Sequence, residues 1–205
     1  MKSIKVNFEN LTESERQQLL KLVEKSNQEK IQLCDIEVGK TFKIGNIEFI
    51  KFADEYGATT AVTKDGIFNS RFGDTNNLAE SDIMDKLNKE FLPKIAGEIG
   101  LANILEHETD LTTLDGLKTY GVMNSKISLP TFDFYRKNVS IFDKYKLDKW
   151  WWLATPDTAY PHKDVNWVIC VSPSGNIDGI NGSYDSIGVR PFLCFVSSIY
   201  VSCED

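Results

Sequence analysis

Metal and thiol chemistry have little to work with in this sequence. Its two histidines, His107 and His162, share no ligand-type spacing, and its four cysteines, Cys34, Cys170, Cys194 and Cys203, include no Cys-x-x-Cys pair. A zinc ribbon, a thioredoxin-like motif and a His-x-x-x-His site are excluded by pattern. The chain also lacks a Gly-x-Ser-x-Gly elbow, a Walker A loop and a dinucleotide fingerprint, so the common hydrolase, P-loop and Rossmann signatures are missing. No catalytic constellation, metal site or cofactor is expected. No apolar run reaches the roughly 18 residues of a membrane span, and no membrane partner is expected. The opening Met1-Lys2-Ser3-Ile4-Lys5-Val6 has no apolar h-region, so no signal peptide is expected and the expected location is the cytoplasm. Arginine is scarce as well: four of 23 basic residues, against 30 acids and a net charge of −7. Nucleic-acid binders draw affinity from neutralised phosphates and read bases with arginine, so no nucleic-acid partner is expected.

What is present reads as a globular chain. Of the 205 residues, 41% are hydrophobic and 26% charged, the balance of a folded domain rather than a disordered one. A chain of this length buries roughly 70% of its unfolded surface and needs neither metal nor disulfide to fold. The cysteines are expected as reduced thiols, Cys170 and Cys194 packing as small hydrophobes in apolar runs.

Residues 1–30 read as a strand-helix arm. Ile4, Val6 and Phe8 alternate with polar residues. Thr12 and Glu15 then form a capping box that opens a helix to about Asn27, with Leu19, Leu20 and Val23 on its apolar side. Such a unit cannot close a core alone, so it docks on the remainder or serves as a homo-oligomerisation arm.

Residues 31–205 read as one α+β domain. Thr41–Ile44, a primed turn at Gly45-Asn46, a strand from Ile47, a turn over 54–57 and Ala58–Thr63 make a meander. Ser81 caps a helix whose stripe is Ile83, Leu87 and Phe91, and Pro93 sits in the first turn of a second helix ending near Gly97 or Gly100. In Leu105-Glu106-His107-Glu108 the two acids share one strand face and His107 takes the other. Thr131 caps a short helix. The last third is strand-rich: 150–153, 165–171, 176–180, 189–196 and 199–201. Pro191, lacking an amide donor, marks a bulge or an edge in the strand over 189–196.

Two terminal motifs carry a resemblance. Trp151-Trp152-Leu153 with Thr155-Pro156, followed by Gly188-Val189-Arg190-Pro191-Phe192, resembles a domain of unknown function of bacteria and their phages, with a Trp-Trp-Leu-Arg-(Ser/Thr)-Pro…Gly-Val-Arg-Pro ending. Gly39–Ile44, Phe68–Ile83, Glu106–Gly116 and Ser128–Asp133 resemble it too, so most of 31–205 is covered. Ala154 stands where that family often has arginine. The family is in turn distantly similar to the C-type-lectin-like superfold, which includes phage variable receptor-binding proteins and relatives of the formylglycine-generating enzyme. The resemblance implies a C-type-lectin-like twisted antiparallel sheet with flanking helices and long loops, and adds a phage particle as a location. Trp151, Trp152, Arg190 and Pro191 are its structural signature.

The function this implies is a non-enzymatic recognition module of bacterial or prophage origin, with a protein or glycan ligand. Its candidate surface is the loop-rich stretch 154–187, whose Tyr, Asn, Ser and Gly suit adaptable recognition and equally suit plain turns. The residues singled out are Tyr160, His162, Asp164, Asn166, Asn181, Tyr184 and Asp185. Asp178, Asn181 and Asp185 offer oxygen ligands without EF-hand spacing. The tryptophans are expected mainly as core, Trp150 being the one expected to be exposed. Arg190 in an apolar strand must be tied to backbone carbonyls or an acid. Two alternatives are a structural or assembly protein of a phage and an enzyme related to the formylglycine-generating group. The latter requires Cys170 and Cys194 on neighbouring strands.

Overall fold

The computed structural model describes residues 12–27, 30–162 and 166–203. The strand expected over 4–8 and the candidate site residue Asp164 lie outside them. Helix α1 spans Glu13–Asn27. Its capping box is closed: Glu15 Oε2 accepts from the Thr12 amide at 2.8 Å and from the Thr12 hydroxyl at 2.7 Å.

From Lys30 onward the chain is mixed α+β. The first sheet holds β1 (Lys30–Gln32), β2 (Thr41–Ile44), β3 (Ile47–Glu55), β4 (Ala58–Thr63), β6 (Ile104–Leu105), β13 (Phe192–Val196) and β14 (Tyr200–Ser202). Its order is β1-β14-β2-β3-β4-β13-β6, antiparallel throughout. Among the described residues the earliest and latest strands pair, which brings Lys30–Gln32 beside Tyr200–Ser202. The second sheet holds β5 (Phe68–Asn69), β9 (Trp151–Pro156), β10 (Trp167–Val171), β11 (Ile177–Asn181) and β12 (Gly188–Val189), in the order β11-β10-β9-β12-β5. Only β9 and β12 run parallel in it. A separate ribbon pairs β7 (His107–Asp110) with β8 (Val122–Ser125).

The meander forms as its turns dictate. Ile44 pairs with Ile47 across a two-residue turn, and Gly45 takes φ 60° as a type II′ turn requires. Tyr56 and Gly57 both take positive φ in the next turn, the type I′ pattern. Ser81 Oγ accepts from the Met84 amide at 3.1 Å and starts α2 (Asp82–Lys86). The chain continues without a break through a π turn, Leu87–Phe91, into α3 (Leu92–Ile99). The two helices expected here are therefore one rod with a π turn between its halves. It stops at Gly100, φ 86°. Ile83, Leu87, Phe91 and Ile95 form its buried stripe.

Two cores result, and β9 divides them. Trp152 and Ala154 point into the larger, with Phe42, Phe49, Phe195 and the helical stripe. Trp151 and Leu153 point into the smaller, with Ile50, Phe52, Ile169 and Val171. The smaller core is roofed by α4 (Phe132–Lys137) and α5 (Val139–Phe142), which supply Tyr135 and Phe142. A strand buried on both faces reads as a continuous apolar run, which is why Trp151-Trp152-Leu153-Ala154 shows no alternation.

The strand expected over 189–196 is two strands in different sheets. Val189 pairs with Phe68 in the second sheet, while Phe192 pairs with Val62 in the first. The crossing falls on Arg190-Pro191. Pro191 has no amide to give to a ladder, and Arg190, 1% exposed, is buried in the crossing. Its Nε donates to the Thr63 carbonyl at 3.0 Å and its Nη2 to the Lys64 carbonyl at 2.9 Å.

A second buried cation braces the first sheet. Lys51 Nζ donates to the Leu33 carbonyl at 2.8 Å, the Cys34 carbonyl at 3.2 Å and Asp54 Oδ2 at 2.6 Å. The other oxygen of Asp54 accepts from Ser197 at 2.8 Å. The β3–β4 register shifts between Lys51 and Ala53. Among the described residues no helix is long and apolar enough to cross a membrane.

Candidate functional site

One end of the second sheet collects most of the polar residues that the sequence singles out. Three segments meet there: the chain leaving β9 (157–162), the turn over 113–117, and the start of β10 with the end of β11. Their backbones are locked together. The Leu114 amide donates to the Pro156 carbonyl at 2.8 Å, the Asp157 amide to the Trp167 carbonyl at 3.0 Å, and the Gly182 amide to the Asn166 carbonyl at 2.6 Å.

The side chain that holds this end is Asn76, fully buried. Its Nδ2 donates to the carbonyls of Thr158 at 2.8 Å and Trp167 at 3.0 Å, and its Oδ1 accepts from the Tyr120 hydroxyl at 2.7 Å. A buried amide satisfied on both ends rigidifies what it joins.

On this frame stands a cluster of Asp115, Thr113, Thr158 and His162. Asp115 Oδ2 accepts from the Thr158 hydroxyl at 2.6 Å and lies 2.9 Å from His162 Nδ1, while its Oδ1 accepts from Thr113. Hydrogen bonds from Thr113, Thr158 and His162 hold the Asp115 carboxyl down to about 2. A carboxylate so stabilised has no proton to give, so the proton of this pair sits on His162 Nδ1. The exposed imidazole is thereby fixed in orientation. Neighbouring Asp157 shifts the opposite way: partial burial, then the charges of Asp115 and Asp178, push its carboxyl up.

Beside this cluster lies an exposed indole. Trp167 follows the β10 alternation of Ile169 and Val171 but sits past the end of the core, 42% exposed. It is the exposed tryptophan of the chain, whereas Trp150 is half-buried against the larger core. Gly179 on the neighbouring strand adjoins both this ring and Asp157: a Cβ there would stand 3.4 Å from Trp167 Cε3 and 3.8 Å from the Asp157 carboxyl carbon, ordinary contact distances.

The remaining candidates fall around this platform. Tyr160 is the most exposed aromatic here, at 77%, and its carbonyl accepts from Thr119 at 3.2 Å. Asn181 pairs with Trp167 in the β10–β11 register and spends its side-chain oxygen on the Ser183 amide. Tyr184 and Asp185 are exposed on the following turn. His162 is thus joined to a partner pair, Asp115 and Thr158, and Asn181 shapes a turn. The sequence singles out neither Asp115 nor, beyond its place in the strand over 165–171, Trp167.

The other signature residues are structural. Trp151 and Trp152 are buried, and Trp152 Nε1 donates to the Ser70 carbonyl at 2.8 Å. Cys170 and Cys194 lie on strands of different sheets, β10 and β13, and burial pushes both thiols up. Cys34, Cys170 and Cys194 are unbridged thiols. Among the described residues no group of three His, Cys, Asp or Glu side chains converges as a metal site. Set against protein-family models, curated proteins and solved structures, the chain matches none.

Proposed function

We propose that this protein is a non-catalytic recognition module that binds a saccharide on the loop end of its second sheet. The observation that carries this reading is the exposed Trp167 indole, whose ring edge adjoins Gly179, a position that the Asp157 carboxyl also adjoins. An aromatic face takes the C–H face of a pyranose, while flanking carboxylate and imidazole groups take its hydroxyls. The rigid Asn76 frame supports the same reading, because a preorganised surface loses less entropy on binding.

The resemblance to the bacterial and phage domain with the Trp-Trp-Leu…Gly-Val-Arg-Pro ending supports a bacterial or prophage origin. The closure of the first sheet by β1 on β14 is in keeping with a C-type-lectin-like core. Fold alone does not carry the ligand class; the surface does.

The test is a glycan array followed by calorimetry on the full chain. Binding to at least one saccharide is expected, weakened about tenfold or more by Trp167→Ala. An empty array, or a saccharide whose affinity Trp167→Ala leaves unchanged, overturns the reading.

A further inference from the structure

A cavity of about 490 Å³ opens between the β2–β3 hairpin, the link from β4 to β5, and the helical rod at its π turn. Its size falls in the range of small-molecule sites. Ile47, Ile67 and Phe68, half-buried, and Phe91, buried, give it an apolar floor.

The rim charges are not equivalent. Glu48 is bonded to Lys64 at 3.0 Å, Lys43 is engaged, and Asp65 lies on the exposed rim. Glu90 and Lys94 differ. They stand four apart with the acid N-terminal, the order that favours a helical ion pair. The preceding turn makes such a pair, Lys89 Nζ to Asp85 Oδ2 at 2.7 Å. Glu90 and Lys94 form no ion pair or hydrogen bond with any described residue, and both line the cavity. The π turn runs through Leu87–Phe91, where the Leu92 amide reaches back to the Leu87 carbonyl. Such single π turns recur at functional sites.

An apolar floor with the Glu90 carboxylate and the Lys94 ammonium one helical turn apart at its mouth matches a ligand of the inverse pattern. We infer that this cavity binds a free α-amino acid with an aromatic or branched side chain. The side chain rests on Phe68 and Phe91, the ligand ammonium meets Glu90, and its carboxylate meets Lys94. This site is separate from the Trp167 surface and stands or falls independently of it.

The test is an NMR titration of the ¹⁵N-labelled full chain with L-phenylalanine, N-acetyl-L-phenylalanine and L-phenylalaninamide. L-phenylalanine is expected to shift the amides of Ile67, Phe68 and Phe91. Each blocked analogue, lacking one charge, is expected to bind about tenfold more weakly, the worth of one charge-assisted hydrogen bond. Lys94→Gln, an exposed change that leaves the core untouched, is expected to weaken L-phenylalanine to the level of its amide while leaving the amide unchanged. The inference is overturned by absent shifts at about 10 mM ligand, where a millimolar site is largely filled, by shifts that map elsewhere, or by analogues that bind as well as the parent.

Discussion

The Arg190 guanidinium carbon lies 4.9 Å from the Trp151 ring centroid and 5.3 Å from that of Phe142. The cation is therefore held by two aromatic faces and by the carbonyls of Thr63 and Lys64. Burial lowers its pKa to about 10, so it stays charged at neutral pH. Both carbonyls belong to the end of β4 or just beyond it, while Trp151 belongs to the second sheet and Phe142 to α5. One side chain thus ties both sheets and the helical roof together at the point where the chain crosses between sheets.

Arg190→Met keeps much of the volume and leaves both carbonyls unpaired. It is expected to cost about 3 kcal/mol, the range for removing one partner of a buried charged network. Arg190→Lys keeps the charge but lacks the planar fork and the stacking face, and is expected to cost about 2 kcal/mol. Urea denaturation at pH 7 measures both. A loss below about 0.5 kcal/mol for Arg190→Met, the range of a neutral surface change, rules out the clamp.

Gly179→Val adds branched carbons beyond a Cβ that already stands 3.4 Å from Trp167 Cε3. The indole is expected to be displaced, with saccharide binding lost and the thermal midpoint moved by only a few degrees, since the position lies outside both cores. Trp167 fluorescence of the free protein is expected to change with it. Unchanged binding in a folded Gly179→Val protein refutes the platform geometry.

His107 predicts an acid-sensitive fold. Its Nε2 lies 2.8 Å from Ser128 Oγ and its ring sits edge-on to Phe192 at 4.9 Å, while Nδ1 is buried without a well-formed hydrogen bond. Burial pushes its pKa down to about 4, and the Leu105 carbonyl offsets only part of that. The unfolded chain takes the same proton near pH 6.5. Above about pH 6.5 both states are neutral there and the residue adds no pH dependence. As pH falls from about 6.5 to about 4, only the unfolded state gains the proton, and stability drops by about 3 kcal/mol in total. In His107→Phe this component is absent. The wild-type-minus-variant difference in unfolding free energy is expected to be flat above pH 7 and to decline below it; a difference flat from pH 7 to pH 4.5 contradicts it.

Asp115→Asn removes the carboxylate that gathers Thr113, Thr158 and His162. The cluster is at the surface, so global stability is expected to change by less than about 1 kcal/mol. Hydrogen exchange at the bonded amides of Leu114 and His162 is expected to speed up, because these amides report local opening of the turn and loop. Saccharide affinity is expected to fall with it through the loss of His162 orientation. Exchange rates identical to wild type at those two amides count against the cluster as a positioning device.

Much of the secondary structure was legible because it is set by contacts within a few residues. Thr12 with Glu15, Ser81 with Met84 and Thr131 with Phe134 are caps closed inside one turn. The Gly45-Asn46 turn and the Ile83–Leu87–Phe91 stripe are equally local. Lys51 was not legible. Asp54 stands three residues on, but the carbonyl partners that mark a buried ammonium, Leu33 and Cys34, lie 18 and 17 residues away. The site shows the same division. His162 stood out by its rarity, but Asp115 is 47 residues distant. Trp167 reads as core from the sequence, and only the register sets it opposite Asn181 at the end of its sheet.

Composition and local pattern thus establish a folded α+β chain without the usual catalytic or metal signatures. They also mark the Arg190-Pro191 pair as irregular, since a proline cannot complete a ladder wherever it lies. Which sheet each side of that pair joins, which tryptophan reaches solvent, and which acid holds His162 depend on long-range pairing. Those outcomes rest on packing between segments far apart in the chain, where the hydrophobic effect is non-directional and only close-packed geometry selects one arrangement.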